Sequence, residues 1–190
     1  MNPKKNVFPQ QTHFIGVLLP DNLTRAVEEY RRYMNRTYGC RSGHATPVHV
    51  TLVPPFALPR DYTTADVVEA LLRGVPQDSG FSARTENFDA FGDRTLFAAV
   101  RPAPEWNRLK NAAETALRGA FPGCLRKDPR PFHPHITVAN RDIPPGASTA
   151  ALRVLSGKKF EEDFPVDNMT VFVRKGGGWE AAQAIRLDPP

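Results

Sequence analysis

The chain has 190 residues, of which 41% are hydrophobic and 24% are charged, and its formal net charge is +5. This composition predicts a globular protein with one domain, or two closely packed lobes, and a substantial core. The positive charge favours an anionic ligand such as a phosphate ester or a nucleic acid, although a solvated basic surface would give the same balance.

Cysteine usage and the N-terminus narrow the setting further. The two cysteines, Cys40 and Cys124, form no CxxC pair, so we expect no structural zinc, with two free thiols as the simpler expectation and one disulfide as the alternative. The N-terminus is polar, and the apolar run at residues 14–19 is far shorter than the ~20 residues that span a bilayer. We therefore expect a soluble, cytoplasmic monomer that has no membrane partner.

The first half of the chain alternates strand and helix patterns. Residues 14–19 predict a buried strand, and Asp21 or Asn22 can cap the helix that follows, which Gly39 would close in a left-handed conformation. After this helix we expect a strand at 49–53, a helix at 64–75 and a strand at 81–91. The apolar faces of the two helices contain Leu23, Ala26, Val27, Tyr30 and Met34, and Val67, Val68, Leu71 and Leu72.

The second half repeats this alternation. Pro104 and Glu105 suit the first turn of its long helix, and a run of three glycines from Gly176 predicts a hairpin turn before the last strand. The predicted elements are a strand at 95–100, a helix at 104–120, a strand at 133–138, a helix at 148–157 and strands at 166–174 and 182–187. The apolar side of the long helix contains Trp106, Leu109, Ala113, Ala116, Leu117 and Ala120.

The order strand, helix, strand, helix, strand thus occurs twice, which indicates an internal duplication with halves at about 12–92 and 93–188. Two such units predict a bilobal α+β protein. We expect two antiparallel sheets with helices on their outer faces, whose inner faces meet across a central cleft on a pseudo-twofold axis.

One short motif repeats at the matching place in each half, as His49-Val50-Thr51 and as His135-Ile136-Thr137. Successive strand residues point to opposite faces, so each motif buries an apolar residue and presents an imidazole and a hydroxyl together. These two groups lie roughly 6.5–7 Å apart along a strand, which lets both reach one phosphate-sized group. A single His-x-Thr strand is common, but two at equivalent places favour a functional site.

This pair of motifs suits the cleavage of a phosphodiester. The reaction needs a base that activates water and an acid that protonates the leaving oxygen, and histidine can fill both roles near neutral pH. Thr51 and Thr137 can donate to the non-bridging oxygens and hold the phosphorus in line. We expect His49 and His135 to be catalytic, Thr51 and Thr137 to bind phosphate, and no metal or cofactor to be needed.

The stretches at 49–56, HVTLVPPF, and at 134–140, PHITVAN, resemble the 2H phosphoesterase superfamily, which includes the 2′-5′ RNA ligase-like proteins and cyclic phosphodiesterases. The resemblance extends over most of the chain. It implies a bilobal α+β fold, metal-independent opening of a 2′,3′-cyclic phosphate in a small phosphodiester or an RNA end, and often a 2′-phosphate product. By the same resemblance, His49 would be the acid and His135 the base.

The sequence departs from the commonest family pattern at two places. Many 2′-5′ RNA ligase-like members have Phe-Leu-Gly soon after the first motif, where this chain has Pro54-Pro55-Phe56. Many also have arginine at the position of Asn140, whereas Arg141 is displaced by one residue and would face the other way in a strand. Both changes bear on the choice of substrate.

Several residues near the motifs are secondary candidates. His133 would share a face with His135 in a regular strand, and a metal site formed by these two with His49 is an alternative that no carboxylate spacing supports. Further phosphates could be bound by Lys127, Arg130 and Arg141, and a base could stack on Phe56 or Trp179. Two other functions stay open on the same scaffold: a non-catalytic nucleotide- or RNA-binding module, and a 2′-5′ RNA ligase.

Overall fold

A computed structural model describes residues 10–189, so the polar segment at 1–9 lies outside the described residues. Within 10–189 there are eight strands, four α-helices and one 3-10 helix at Ser42–Ala45. The strands are β1 His13–Leu18, β2 His49–Phe56, β3 Phe81–Ala90, β4 Thr95–Val100, β5 His135–Asn140, β6 Asp163–Val166, β7 Asn168–Lys175 and β8 Gly178–Arg186. The α-helices are α1 Asp21–Tyr38, α2 Thr64–Gly74, α3 Pro104–Ala120 and α4 Ala147–Leu155.

The first helix follows its apolar spacing. α1 buries Leu23, Val27 and Met34, and Gly39 closes it in the left-handed conformation with a φ of 75°, as predicted. The predicted side-chain cap is wrong, because helical geometry already begins at Asp21 and Pro20 occupies the cap position. Burial of the apolar face therefore positions this helix without a polar cap.

The second helix begins with a capping box. The Thr63 hydroxyl accepts from the backbone N–H of Asp66, and the Asp66 carboxylate accepts from the backbone N–H of Thr63. Val67 and Leu71 are buried as predicted, but Leu72 is 60% exposed, so its predicted burial is wrong. Leu72 falls outside the stripe that α2 turns towards the core.

The C-terminal region contains one strand more than predicted. The pattern at 166–174 predicted a single strand, but the structure forms β6 before it and β7 in its place. β6 was missed because it contains Pro165, and proline argues against a central strand. Proline is nevertheless tolerated on an edge strand. β6 is the edge strand of the sheet and pairs through β3 alone.

All eight strands belong to one antiparallel sheet in the order β6-β3-β4-β5-β2-β1-β7-β8. The predicted pair of sheets is therefore present as two four-stranded halves that are hydrogen-bonded into one. Within 10–189, the β2–β5 junction consists of the single pair Val50 and Ile136, whereas the neighbouring β1–β2 and β4–β5 ladders each contain five pairs. The sheet is thus narrowest at its middle.

Each half of the sheet contains strands from both predicted halves of the sequence. β3 belongs to the first sequence half and pairs with β4 of the second. In the other half of the sheet, β1 of the first sequence half pairs with β7 of the second, and β7 pairs in turn with β8. The division at about 12–92 and 93–188 and the pseudo-twofold axis remain predictions about the sequence pattern. The helices also pack on strands of the opposite sequence half, since α1 packs against β5 and α3 packs against β2.

Candidate active site

The junction of β2 and β5 separates a buried face from a cleft face. Val50 and Ile136 have no exposed surface, and Leu52 and Val138 are buried on the same side of the two strands. The residues between them in sequence are only half-buried. The alternation predicted for both His-x-Thr strands is therefore present, with the apolar residues towards the helices and the polar residues towards the cleft.

The antiparallel register at this junction brings the two motifs together crosswise. Residues that flank an antiparallel pair oppose each other, which sets His49 across from Thr137 and Thr51 across from His135. The two histidines are then diagonal neighbours, and such positions in a regular ladder lie roughly 7–8 Å apart. A positive charge on His135 is near enough to lower the pKa of His49.

Both imidazole rings have the same orientation and the same tautomer. The Nδ1 atom of His49 lies 2.7 Å from the Pro47 carbonyl oxygen, and that of His135 lies 2.7 Å from the His133 carbonyl oxygen. A carbonyl oxygen can only accept, so each Nδ1 carries a proton and donates it. In the neutral ring Nε2 is then unprotonated, and at His49 it can accept from the Thr51 hydroxyl 3.2 Å away.

Each histidine also packs against two phenylalanines. The His49 ring centroid lies 4.9 Å from that of Phe14 and 5.2 Å from that of Phe172. The His135 ring centroid lies 5.1 Å from that of Phe97 and 5.3 Å from that of Phe91. These rings restrict the imidazoles on their flanks, and their apolar surfaces reduce the hydration of an imidazolium.

Burial lowers the pKa of both histidines. At His49 the loss of hydration lowers the pKa to about 4, the bond to Pro47 opposes this, and the charges of Arg31 and His135 add to the depression. At His135 burial also lowers the pKa, the bond to the His133 carbonyl raises it, and the charge of His133 lowers it. Both rings are therefore neutral near pH 7 when no anion is bound beside them.

Arg31 is a component of this region that the sequence analysis missed. Its side chain is 2% exposed and lies behind the two strands, where it donates to the carbonyl oxygens of Thr46 and Thr137. The available signal was its place on the apolar face of α1, four residues after Val27 and three before Met34. An arginine on a stripe that faces the core needs buried acceptors.

Of the four motif residues, His135 and Thr51 line a cleft of about 1090 Å³, and His49 and Thr137 are not among its lining residues. One wall is apolar and consists of the end of β2, which includes Pro54, Pro55 and Phe56. The other wall is the loop between α3 and β5, which we call the basic loop, residues 123–133. It contains Lys127 and Arg130, and Arg130 is bound to Asp128 by a bond of 2.6 Å. Within residues 10–189, Lys127 has no carboxylate bound to it and can take an anion in the cleft.

The remaining candidates divide between the cleft and other places. His133 lines the cleft, but β5 begins at His135, so the predicted regular strand at 133 is wrong; His133 precedes Pro134, which cannot donate to the ladder. Arg141 is exposed in a left-handed conformation with a φ of 64°, away from the cleft lining. Trp179 packs edge-on against Phe14.

The metal and cysteine expectations can be compared with the described residues. Between residues 10 and 189, no three histidine, cysteine, aspartate or glutamate side chains are grouped as a metal site would require. Cys40 and Cys124 are free thiols, so the simpler expectation is confirmed over the disulfide. None of the helices in this part of the chain combines the length and the apolar character that crossing a bilayer requires.

An α+β sheet that brings two His-x-Thr strands together on one face defines the class of two-histidine phosphoesterases. A model of the 2′-5′ RNA ligase superfamily matches residues 19–178, and the chain belongs to this family. The resemblance that the two motifs indicated is thereby confirmed.

Individual relatives are distant. An RNA 2′,3′-cyclic phosphodiesterase of Bacillus subtilis (strain 168) is 24% identical over 131 residues, which are 68% of this chain and 70% of the relative. A crystal structure of a Thermus thermophilus protein has a TM-score of 0.67 at 21% identity, covering 94% of this chain and 98% of its own. Escherichia coli LigT complexed with 3′-AMP has a TM-score of 0.62 at 19% identity, covering 93% and 98%. The structural matches support the fold.

Proposed function

We propose that the protein is a metal-independent phosphodiesterase that opens 2′,3′-cyclic phosphates of nucleotides or RNA ends. The observation that carries this proposal is the convergence of His49, Thr51, His135 and Thr137 on one face at the β2–β5 junction. The name of the Bacillus subtilis relative supports the choice of a cyclic phosphate, and the basic loop supports a polyanionic substrate.

In the proposed reaction the phosphorus lies between the two Nε2 atoms. His135 takes a proton from water as the water oxygen bonds to phosphorus, and His49 gives a proton to the ribose oxygen as its bond to phosphorus breaks. The product is a phosphomonoester, a 2′-phosphate where the 3′ oxygen leaves. The hydroxyls of Thr51 and Thr137 donate to the non-bridging oxygens, where charge increases in the transition state.

The substrate supplies part of the electrostatics. Without a bound anion His49 is neutral above a pH of about 4, yet a general acid must carry a proton at Nε2. A bound phosphodiester is an anion beside both rings, and an opposite charge at this range raises the pKa of a histidine. Once His49 is protonated, the Thr51 hydroxyl no longer donates to it and is free to donate to the phosphate.

Turnover of 2′,3′-cyclic AMP in the presence of EDTA tests the proposal. We expect His49→Ala and His135→Ala each to lower kcat by about 10²–10⁴-fold, because each removes one proton-transfer step. His44→Ala is the matched control, since His44 is exposed in the 3-10 helix and does not line the cleft. Equal activity in all four proteins would refute the assignment, and nucleotide binding without turnover would indicate a binding module instead.

A further inference from the structure

Arg31 is a buried cation that the proposed reaction does not use directly. Its guanidinium makes four bonds: Nε and one terminal nitrogen donate to the Thr137 carbonyl oxygen at 3.3 and 3.2 Å, and the other terminal nitrogen donates to the Thr46 carbonyl oxygen at 2.8 Å and to Glu28 at 3.1 Å. Glu28 is a neighbour on α1 and compensates part of the charge. The bonds to the two carbonyls join α1 to β5 and to the loop that leads into β2.

One of these carbonyls belongs to the second motif, and the other belongs to the loop before the first motif. Thr137 is the hydroxyl residue of the second motif, and Thr46 lies three residues before His49, in the loop that leads into β2. Between residues 10 and 189, the two strands themselves share only the pair Val50 and Ile136. A planar guanidinium holds several donors in fixed directions and can bridge two carbonyls on different segments, whereas an ammonium is a compact group on a flexible stem.

The loop that precedes His49 lies directly against β5. A Cβ added to Gly43 would lie 2.9 Å from the Val138 carbonyl oxygen, so the loop backbone is in close contact with the strand. At the outer end of the loop, the Asp142 carboxylate accepts from the backbone N–H groups of Arg41 and Ser42 at 2.6 and 3.0 Å. The Ser42 hydroxyl also donates to the Asn140 carbonyl oxygen of β5. Arg31 is therefore the inner one of several attachments between the first motif's loop and the second motif's strand.

We propose that Arg31 is a positioning residue: through Thr46 and Thr137 it holds the two histidine strands at the spacing at which both imidazoles reach one phosphate. This inference rests on the proposed function for its catalytic consequence, but the mechanical part does not. A misplacement of about 1 Å in such a pair can cost about 10²-fold in rate. The charge of Arg31 also lowers the pKa of His49.

Three variants separate the geometry from the charge. Arg31→Met removes both, Arg31→Lys keeps the charge but cannot bridge two carbonyls with a planar fork, and Arg32→Met is the control, because Arg32 is a solvent-exposed neighbour bound to Glu29. The readouts are kcat, KM and the pH profile with 2′,3′-cyclic AMP, and amide hydrogen exchange at Val50 and Ile136 by NMR.

For Arg31→Met we expect kcat to fall about 10²-fold with a much smaller change in KM, a pH profile displaced to higher pH, and faster exchange at Val50 and Ile136. Arg31→Lys should lose part of kcat with the wild-type pH profile, and Arg32→Met should match wild type throughout. Wild-type kcat and exchange in a folded Arg31→Met would overturn the inference, as would a lowered Tm alone. If Arg31→Met does not fold, full kcat and unchanged exchange in Arg31→Lys overturn it.

The two proposals can fail separately. A wild-type protein without turnover on cyclic phosphates would contradict the proposed function, and the exchange rates at Val50 and Ile136 would still decide whether Arg31 holds the strands together.

Discussion

The two His-x-Thr motifs are alike at the ring and different around it. In both, Nδ1 donates to a carbonyl oxygen two residues earlier at 2.7 Å, and two phenylalanines flank the imidazole. The loop before His49 is held by Arg31 and Asp142, whereas the loop before His135 is the basic loop that forms a wall of the cleft. The difference suggests that both motifs share the proposed chemistry while the second side recognises the rest of the substrate.

The helices α1 and α3 differ in the same way, because an arginine on α1 contacts both motif regions and an arginine on α3 contacts only the loop that follows it. Arg31 on α1 is buried and bonds to one carbonyl in the loop before the first motif and to one within the second motif. Arg118 on α3 is half-buried and donates to the carbonyls of Leu125 and Arg126, which both belong to its own loop. The first helix thus fixes one motif relative to the other, and the second helix shapes the basic loop.

The largest expected effect is a change in rate that distinguishes the acid role of His49 from the base role of His135. An aryl phosphodiester has a leaving group that departs without a proton, so loss of the general acid should matter little for it. We expect His49→Ala to lose about 10²–10⁴-fold on a cyclic phosphate and far less on the aryl ester, while His135→Ala loses similar amounts on both. The ratio of kcat/KM values for the two substrates measures this. The opposite pattern would assign the acid to His135 and the base to His49.

The pH dependence should distinguish the free protein from its complex with substrate. One histidine must be protonated and the other neutral; at low pH both are protonated and the base is lost, and at high pH both are neutral and the acid is lost. Burial lowers the pKa of His49 to about 4 and also lowers the pKa of His135. We therefore expect kcat/KM to peak below pH 6.5 and to fall about tenfold per pH unit once the pH exceeds both pKa values. The profile of kcat should lie at higher pH, since the bound anion raises both pKa values. Coincident profiles would contradict a substrate-raised pKa.

The smallest effect should sharpen the difference between the two loops. Lys127→Ala should raise KM for an RNA oligonucleotide with a cyclic phosphate end, and should reduce the slope of log KM against log salt by about 0.7, the value for one contact to single-stranded RNA. Arg25→Ala removes an equal charge from the exposed face of α1 and should change neither quantity. A mononucleotide substrate should be insensitive to both variants. An unchanged slope in Lys127→Ala would remove the basic loop from substrate binding.

Much of the fold could be predicted because hydrophobic periodicity is local. The bounds of β4, Thr95–Val100, and of α3, Pro104–Ala120, agree with their apolar patterns. The prediction for α2 was wrong only at Leu72, which is exposed. The four residues of the candidate site were also selected from sequence, because a repeated motif at equivalent places is itself a local pattern. Their roles in catalysis and phosphate binding remain predictions.

What sequence reasoning could not give is the pairing between distant strands. No local pattern says that β3 pairs with β6, that β7 pairs with β1, or that β2 and β5 join at one pair. Arg31 was missed for the same reason, since the acceptors that make it tolerable in the core are contributed by Thr46 and by Thr137, which is remote in sequence. Whether an arginine on an apolar stripe destabilises the core or links two segments depends on acceptors that are contributed from elsewhere in the chain.

The exchange of strands between the two halves has a consequence for how this protein can be divided. A chain cut between residues 92 and 93 would leave β1 without β7 in one fragment and β4 without β3 in the other, and both fragments would expose ladder edges that invite aggregation. His49 lacks the ring of Phe172 until β7 has returned to β1, whereas the rings around His135 lie at or beside β4 and β5. The surroundings of His49 are therefore completed by contacts of large sequence separation, the kind of contact that slows the folding of a domain.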